Sequence, residues 1–232
     1  MIYVSSDWHG YPLERVKELL GKAGFGSGDY LFLLGDVIDR GEEGIALLKY
    51  LMYQPNIELI RGNHEQMMLD CSFLFNEVTD ETVDALDSDQ MRAMAIWNRN
   101  GARPTLESLA RELPDVRRMI LEYVEDTPLY DSVSVGGRDF FLTHAGLGGA
   151  DGGSLQDCTD YDFLWTRPRL ETRYSSEFTT IFGHTPTWFY GEEYKGKILT
   201  TDTWIDIDVG AASGIAPALL RLDDRKEFYL DA

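Results

Sequence analysis

The stretch Tyr30-Leu31-Phe32-Leu33-Leu34-Gly35-Asp36-Val37-Ile38-Asp39-Arg40-Gly41 decides the fold. Five apolar residues run without a break, then give way to glycine and acid. Such a run marks a strand buried on both faces, as in the middle of a parallel sheet. The glycine permits a sharp turn. In open parallel sheets, ligands gather beyond the carboxyl ends of the strands. Working outward, residues 2–6 read as a strand, and Pro12 opens a helix carrying Leu13, Val16, Leu19 and Leu20 at helical spacing. A helix at about 44–53 and a strand at 57–60 follow. This β-α-β-α-β rhythm predicts parallel strands with right-handed crossovers.

Residues 65–125 carry helical patches, many acids (Asp80, Glu81, Asp84, Asp87, Asp89) and few strand signals. They read as a helical insertion or cap on one domain spanning 1–232. Beyond about 130, strands are expected at 130–135, 139–143, 178–182, 197–201, 204–209, 217–222 and 226–230, with a hairpin turn at Gly136-Gly137. The glycine-rich stretches 21–28 and 146–153 lack the Gly-Lys-Ser/Thr ending of a phosphate-binding P-loop and read as plain loops. Trp188, Phe189 and Tyr190 read either as a strand or as the lining of a substrate mouth.

With 40 acidic and 21 basic residues the net charge is −19, which argues against nucleic acid polymers and anionic membranes as partners. Two cysteines, Cys71 and Cys158, are too few for a disulfide framework and read as reduced thiols of a cytoplasmic protein. Met1-Ile2-Tyr3-Val4 has no basic region leading into an apolar run, so no export signal is expected. No apolar stretch reaches the roughly 18 residues needed to span a membrane.

Chemistry-bearing residues follow five of the strands: Asp7-Trp8-His9, Gly35-Asp36 with Asp39-Arg40-Gly41, Gly62-Asn63-His64-Glu65, His144-Ala145-Gly146 and Gly183-His184. All four histidines lie in these turns. Each motif alone has an ordinary explanation: Asn63 suits a helix N-cap, Asp39 and Arg40 could be a surface ion pair, and Glu65 fits a cap better than a ligand. Together, a mixed oxygen and nitrogen donor set without thiolate suits manganese, iron or zinc.

In order and spacing these motifs resemble the calcineurin-like metallophosphoesterases, in the Asp-Arg-Gly and Asn-His-Glu form of the phosphoprotein-phosphatase branch. The similarity runs from residue 2 to about 222; Trp97-x-x-Asn100-Gly101, Leu164-Trp165-x-Arg167 and Ile207-Asp208-Val209-Gly210-Ala211 add to the likeness with small bacterial members. The resemblance implies a four-layer α/β fold, two mixed sheets packed as a sandwich and flanked by helices. It implies two divalent or transition metal ions, manganese first. Asp7, His9 and Asp36 would hold one; Asp36 would bridge to a second held by Asn63, His144 and His184. It implies in-line attack on phosphorus by a hydroxide held between the metals. Arg40 and Arg167 would grip phosphate, with Arg169 as an alternative across Pro168; His64 would be the general acid, paired with Asp39. The substrate class implied is a phosphorylated protein, with a dinucleotide polyphosphate such as diadenosine tetraphosphate as the second choice. A non-catalytic binding scaffold would have lost ligands or the acid, and here all are present.

Overall fold

The computed structural model describes residues 1–75, 86–148 and 155–231. Ten strands form two five-stranded sheets among these residues. The first sheet has the order β10-β9-β1-β2-β3, with β1 Ile2–Ser5, β2 Tyr30–Leu34, β3 Ile57–Ile60, β9 Leu219–Arg221 and β10 Lys226–Phe228. The second has the order β4-β5-β6-β8-β7, with β4 Tyr130–Val135, β5 Arg138–Thr143, β6 Thr179–Phe182, β7 Leu199–Thr200 and β8 Trp204–Asp206. β1, β2 and β3 run parallel, as do β5, β6 and β8; the outer pairings are antiparallel. The expected mixed α/β sandwich is therefore the observed one.

Alternation within the strands builds the layers. Val4, Phe32, Leu34 and Ile60 face Phe140, Leu142, Ile181 and Ile205 between the sheets. Tyr3, Leu31, Leu33 and Leu59 point the other way, into a helical layer. Each such side chain gains roughly 1.5–3 kcal/mol over exposure, and a one-residue slip would turn every one to the wrong face. The helical layer includes α1 Leu13–Ala23, α2 Gly44–Leu51, α3 Asn63–Asp70, α4 Ser88–Arg99, α5 Arg103–Arg111 and α6 Pro114–Glu125. Pro12 precedes α1, and Gly24 closes it in the left-handed conformation at φ 73°. Asp87 caps α4 by accepting from the backbone N–H of Asp89 and Gln90. Trp97, Ala102, Leu109, Ile120 and Val124 join the same core as β1–β3, so α4–α6 are bound to the first sheet by burial. The outer face of the second sheet packs Phe141, Phe182 and Trp204 against Phe163 and Tyr174, Phe163 coming from α7 Asp160–Trp165.

Gly136 and Gly137 take φ 59° and 76°, as the β4–β5 hairpin requires. The strand reading of Trp188-Phe189-Tyr190 does not hold: Thr187–Tyr190 is a 3₁₀ turn. Trp188 lies so close to Gly210 that a side chain there would strike its ring, and Tyr190 packs on Trp204 at 5.6 Å. Packing thus overrides the strand preference of three aromatics. The acidic residues Asp80, Glu81 and Asp84, and most of the loop 146–153, lie outside the described residues.

Candidate metal centre

Two loops cross beyond β1 and β2. The backbone N–H groups of Asp7, His9 and Gly10 donate to the carbonyls of Gly35, Asp36 and Val37. Gly41 N–H returns to the His9 carbonyl at 3.0 Å. Glu65, fully buried at the start of α3, accepts from the backbone N–H groups of Asp36, Val37, Ile38 and Gly62. It therefore fastens the β2 loop to the β3 loop. Gly35 needs its positive φ of 75°. Gly62 and Gly183 are required for space instead: a Cβ would fall 2.3 Å from Asp36 Oδ1 in one case and 2.1 Å from Asp7 Oδ2 in the other.

Seven described residues other than glycine have positive φ, and six are Asp7, His9, Asp36, Asp39, Arg40 and His184. Backbone held in that sparsely populated region gathers at functional sites. The same loops bring together all six expected ligands. Asp36 belongs to two groups of donors lying within 4.8 Å of one another, one with His9 and His64, the other with His144 and His184. Asp7 joins the first side, its Oδ1 lying 3.7 Å from His9 Nε2. Its Oδ2 accepts from Ser6 Oγ and from the His184 backbone N–H.

The imidazoles are held in one orientation. His9 Nδ1–H donates to the Ile38 carbonyl at 3.1 Å, and His144 Nδ1–H to the Leu34 carbonyl at 2.8 Å. Each ring then turns its Nε2 inward. His144 Nε2 meets Asn63 Oδ1 at 2.9 Å and Asp36 Oδ1 at 3.4 Å. His9 Nε2 meets Asp36 Oδ2 at 3.5 Å. His184 Nδ1 approaches the same Asn63 oxygen at 3.0 Å. Lone pairs face lone pairs here, an arrangement that cations between them convert from repulsion to attraction. Backbone carbonyls that fix the outer ring nitrogen are the usual support of metal-binding histidines. Burial pushes Asp7 and, more strongly, Asp36 above the usual carboxylate range; neighbouring Asp7 and Glu65 add to the effect on Asp36. Burial likewise holds His9 and His184 well below the ordinary imidazole value. Neutral imidazoles and carboxylates lacking a counter-charge are what a metal pair needs.

The sequence profile of the calcineurin-like phosphoesterases matches residues 1–207. The chain belongs to that family. Over 90% of its length it is 24% identical to serine/threonine-protein phosphatase 2 of Escherichia coli (strain K12), covering 87% of that protein. A 102-residue stretch, 42% of the chain, is 30% identical to a symmetrical bis(5'-nucleosyl)-tetraphosphatase of Chromobacterium violaceum, and it spans only 36% of that relative's length. Among solved structures, a putative diadenosine tetraphosphatase superposes with TM-score 0.63 at 14% identity, over 100% of this chain and 94% of the other. A Saccharomyces cerevisiae serine/threonine phosphatase gives 0.56 at 14% identity, over 100% and 80%. At such identities these two likenesses speak for the fold.

As a phosphoesterase of this family, the chain surrounds its donor cluster with cationic and proton-bearing groups. A cavity of about 190 Å³ sits over Asp36 and Asn63, with Arg40, Asn100 and Arg167 on its walls; Arg169 does not line it. His64 Nδ1–H donates to Asp39 Oδ2 at 2.6 Å. Arg40 Nη2 donates to His64 Nε2 at 3.2 Å, which keeps that nitrogen from acting as a ligand while the bond stands. A carboxylate partner such as Asp39 ordinarily favours imidazolium. Instead burial, with Arg40 second, holds His64 well below its ordinary value. Burial also pushes the Asp39 carboxyl up to about 7, against hydrogen bonds from Thr105 and Trp97 that pull it down. Trp97 and Thr105 were missed as site residues. The Trp97-x-x-Asn100-Gly101 likeness carried a hint of the first, and nothing in the sequence marked the second.

Proposed function

We propose that this chain is a serine/threonine-type protein phosphatase using two divalent or transition metal ions, manganese first, with Asp7, His9 and Asp36 on one side and Asn63, His144 and His184 on the other. What carries the reading is the inward-facing cage of acceptors beside a buried His64–Asp39 pair and a cationic rim of Arg40 and Arg167. When bound, the two cations supply Lewis-acid polarisation of the phosphoryl group and acidify water. Arg40 and Arg167 grip the phosphoryl oxygens through paired guanidinium donors. Substrate drawing Arg40 onto phosphate frees His64 Nε2 to take up a proton from solvent or from a phosphate hydroxyl of the substrate and pass it to the leaving oxygen, while Asp39 orients the ring. The enzyme is read as one domain with 65–125 inserted, acting in the cytoplasm on phosphorylated protein.

Metal-stripped protein resupplied with manganese should release phosphate from p-nitrophenyl phosphate and from a phosphoserine peptide. His64→Asn should cut turnover of the phosphoserine peptide about 10²–10⁴-fold with metal content unchanged. Joint loss of metal and activity in that variant would mean that His64 is a ligand rather than the acid.

One observation favours a second reading. A neighbouring cavity of about 570 Å³ shares Arg167 with the metal site and carries Arg169 in its wall. That volume suits a nucleoside-sized ligand. Faster turnover of diadenosine tetraphosphate than of the phosphopeptide would select it.

A further inference from the structure

The turn from α4 into α5 closes on the acid pair from behind. Trp97 Nε1–H donates to Asp39 Oδ2 at 2.7 Å. Thr105 Oγ1–H donates to Asp39 Oδ1 at 2.6 Å, and the same hydroxyl accepts the Asp39 backbone N–H at 3.0 Å. One residue on, Arg40 N–H donates to the Gly101 carbonyl at 3.0 Å. Asp39 and Arg40 are consecutive residues at φ 68° and 67°, and Gly101, at φ 98°, approaches so closely that a Cβ would fall 2.9 Å from Arg40 Cγ. Asp39, Trp97 and Thr105 are 0%, 1% and 2% exposed, so water replaces none of these bonds.

The carboxylate thus has three side-chain donors. Two come from the helices on either side of the α4–α5 turn, 58 and 66 residues away, and the third is the His64 ring. Thr105 grips both the backbone and the side chain of Asp39, fixing its rotamer as well as its charge. Trp97 shares Oδ2 with His64 and so sets the direction in which the imidazole can dock. We propose that Trp97 and Thr105 are positioning residues for leaving-group protonation: they aim Asp39, which aims His64 Nε2 at the departing oxygen. This rests on the reading of His64 as general acid. In that step a water oxygen bonds to phosphorus as the P–O bond to the leaving group breaks, the electron pair of that bond goes to the leaving oxygen, and a proton taken up by Nε2 from solvent once Arg40 has moved onto phosphate follows it. Neutral His64 remains, with Nδ1–H still on Asp39.

Protonation matters in proportion to the basicity of the leaving group. The test compares kcat on phenyl phosphate, whose phenol has a pKa of about 10 like that of tyrosine, with kcat on p-nitrophenyl phosphate, whose anion leaves unaided. Thr105→Val should lose about 10–100-fold on the first and under about 3-fold on the second, with KM and metal content unchanged, and Thr105→Ser should restore most of the loss. Trp97→Phe keeps the ring packing and should give the same asymmetry, which covers the case of Thr105→Val folding poorly. Equal losses on both substrates, or none on either, overturn the inference. A wild-type protein inactive on both overturns the phosphatase reading as well, so the two failures are told apart.

Discussion

Asp206 is a carboxylate in an aromatic layer. It is fully buried on β8, beside Trp204 and near Tyr190, and its Oδ2 has no hydrogen-bond partner. Its Oδ1 accepts from the Asp208 backbone N–H. Burial first, and the charge of Asp208 second, push its pKa well above the usual range. A raised folded-state value means that the protonated group's contribution is intact below the unfolded pKa of about 3.9 and is lost as pH climbs through the folded one. At neutral pH the buried carboxyl therefore costs stability, either as a buried charge or by holding a proton that the unfolded chain releases. Asp206→Asn keeps the Oδ1 acceptor and removes the buried charge. It should raise Tm, on the scale of the roughly 1–3 kcal/mol assigned to one unsatisfied buried polar group. The gain over wild type should widen between pH 5 and pH 8, as read by thermal melts. A constant gap would mean that the folded carboxyl is already ionised at pH 5, like that of the unfolded chain.

Among the elements, the crossed loops after β1 and β2 leave no slack. Backbone meets backbone at Gly10 and Gly41: a Cβ on Gly41 would fall 2.4 Å from the His9 carbonyl oxygen. Rotamer change cannot relieve a contact with a main-chain atom. Gly41→Ala should cost about 3 kcal/mol or more in denaturant melts and release metal, since His9 and Asp36 sit on either side of the crossing; a variant that melts like wild type and keeps its metal would contradict this. All ten strands were legible in the sequence because continuous apolar runs and Gly-Gly punctuation are local signals. Of the two readings of Trp188-Phe189-Tyr190, the strand failed because the turn there depends on Gly210 and Trp204, which are distant in sequence. The turn-borne cluster was legible as a set because each member follows a strand. Thr105 was not, because among the described residues it is tied to the site by hydrogen bonds to Asp39 that span 66 positions.

At the scale of the molecule, the donors come from two separate sheets. Asp7, His9, Asp36 and Asn63 follow β1, β2 and β3 of the first, whereas His144 and His184 follow β5 and β6 of the second. Free metal at about 100 times its Kd adds about 2.7 kcal/mol per site, or roughly 5–10 °C in Tm for a chain of this size. Chelation should remove that increment, and an unchanged melting curve with and without chelator would refute the dinuclear assignment. Cations seated at this seam would act as rivets. Prising one slab of strands from the other would first have to expel them, so a metal-loaded chain would surrender its shape and its chemistry in a single event.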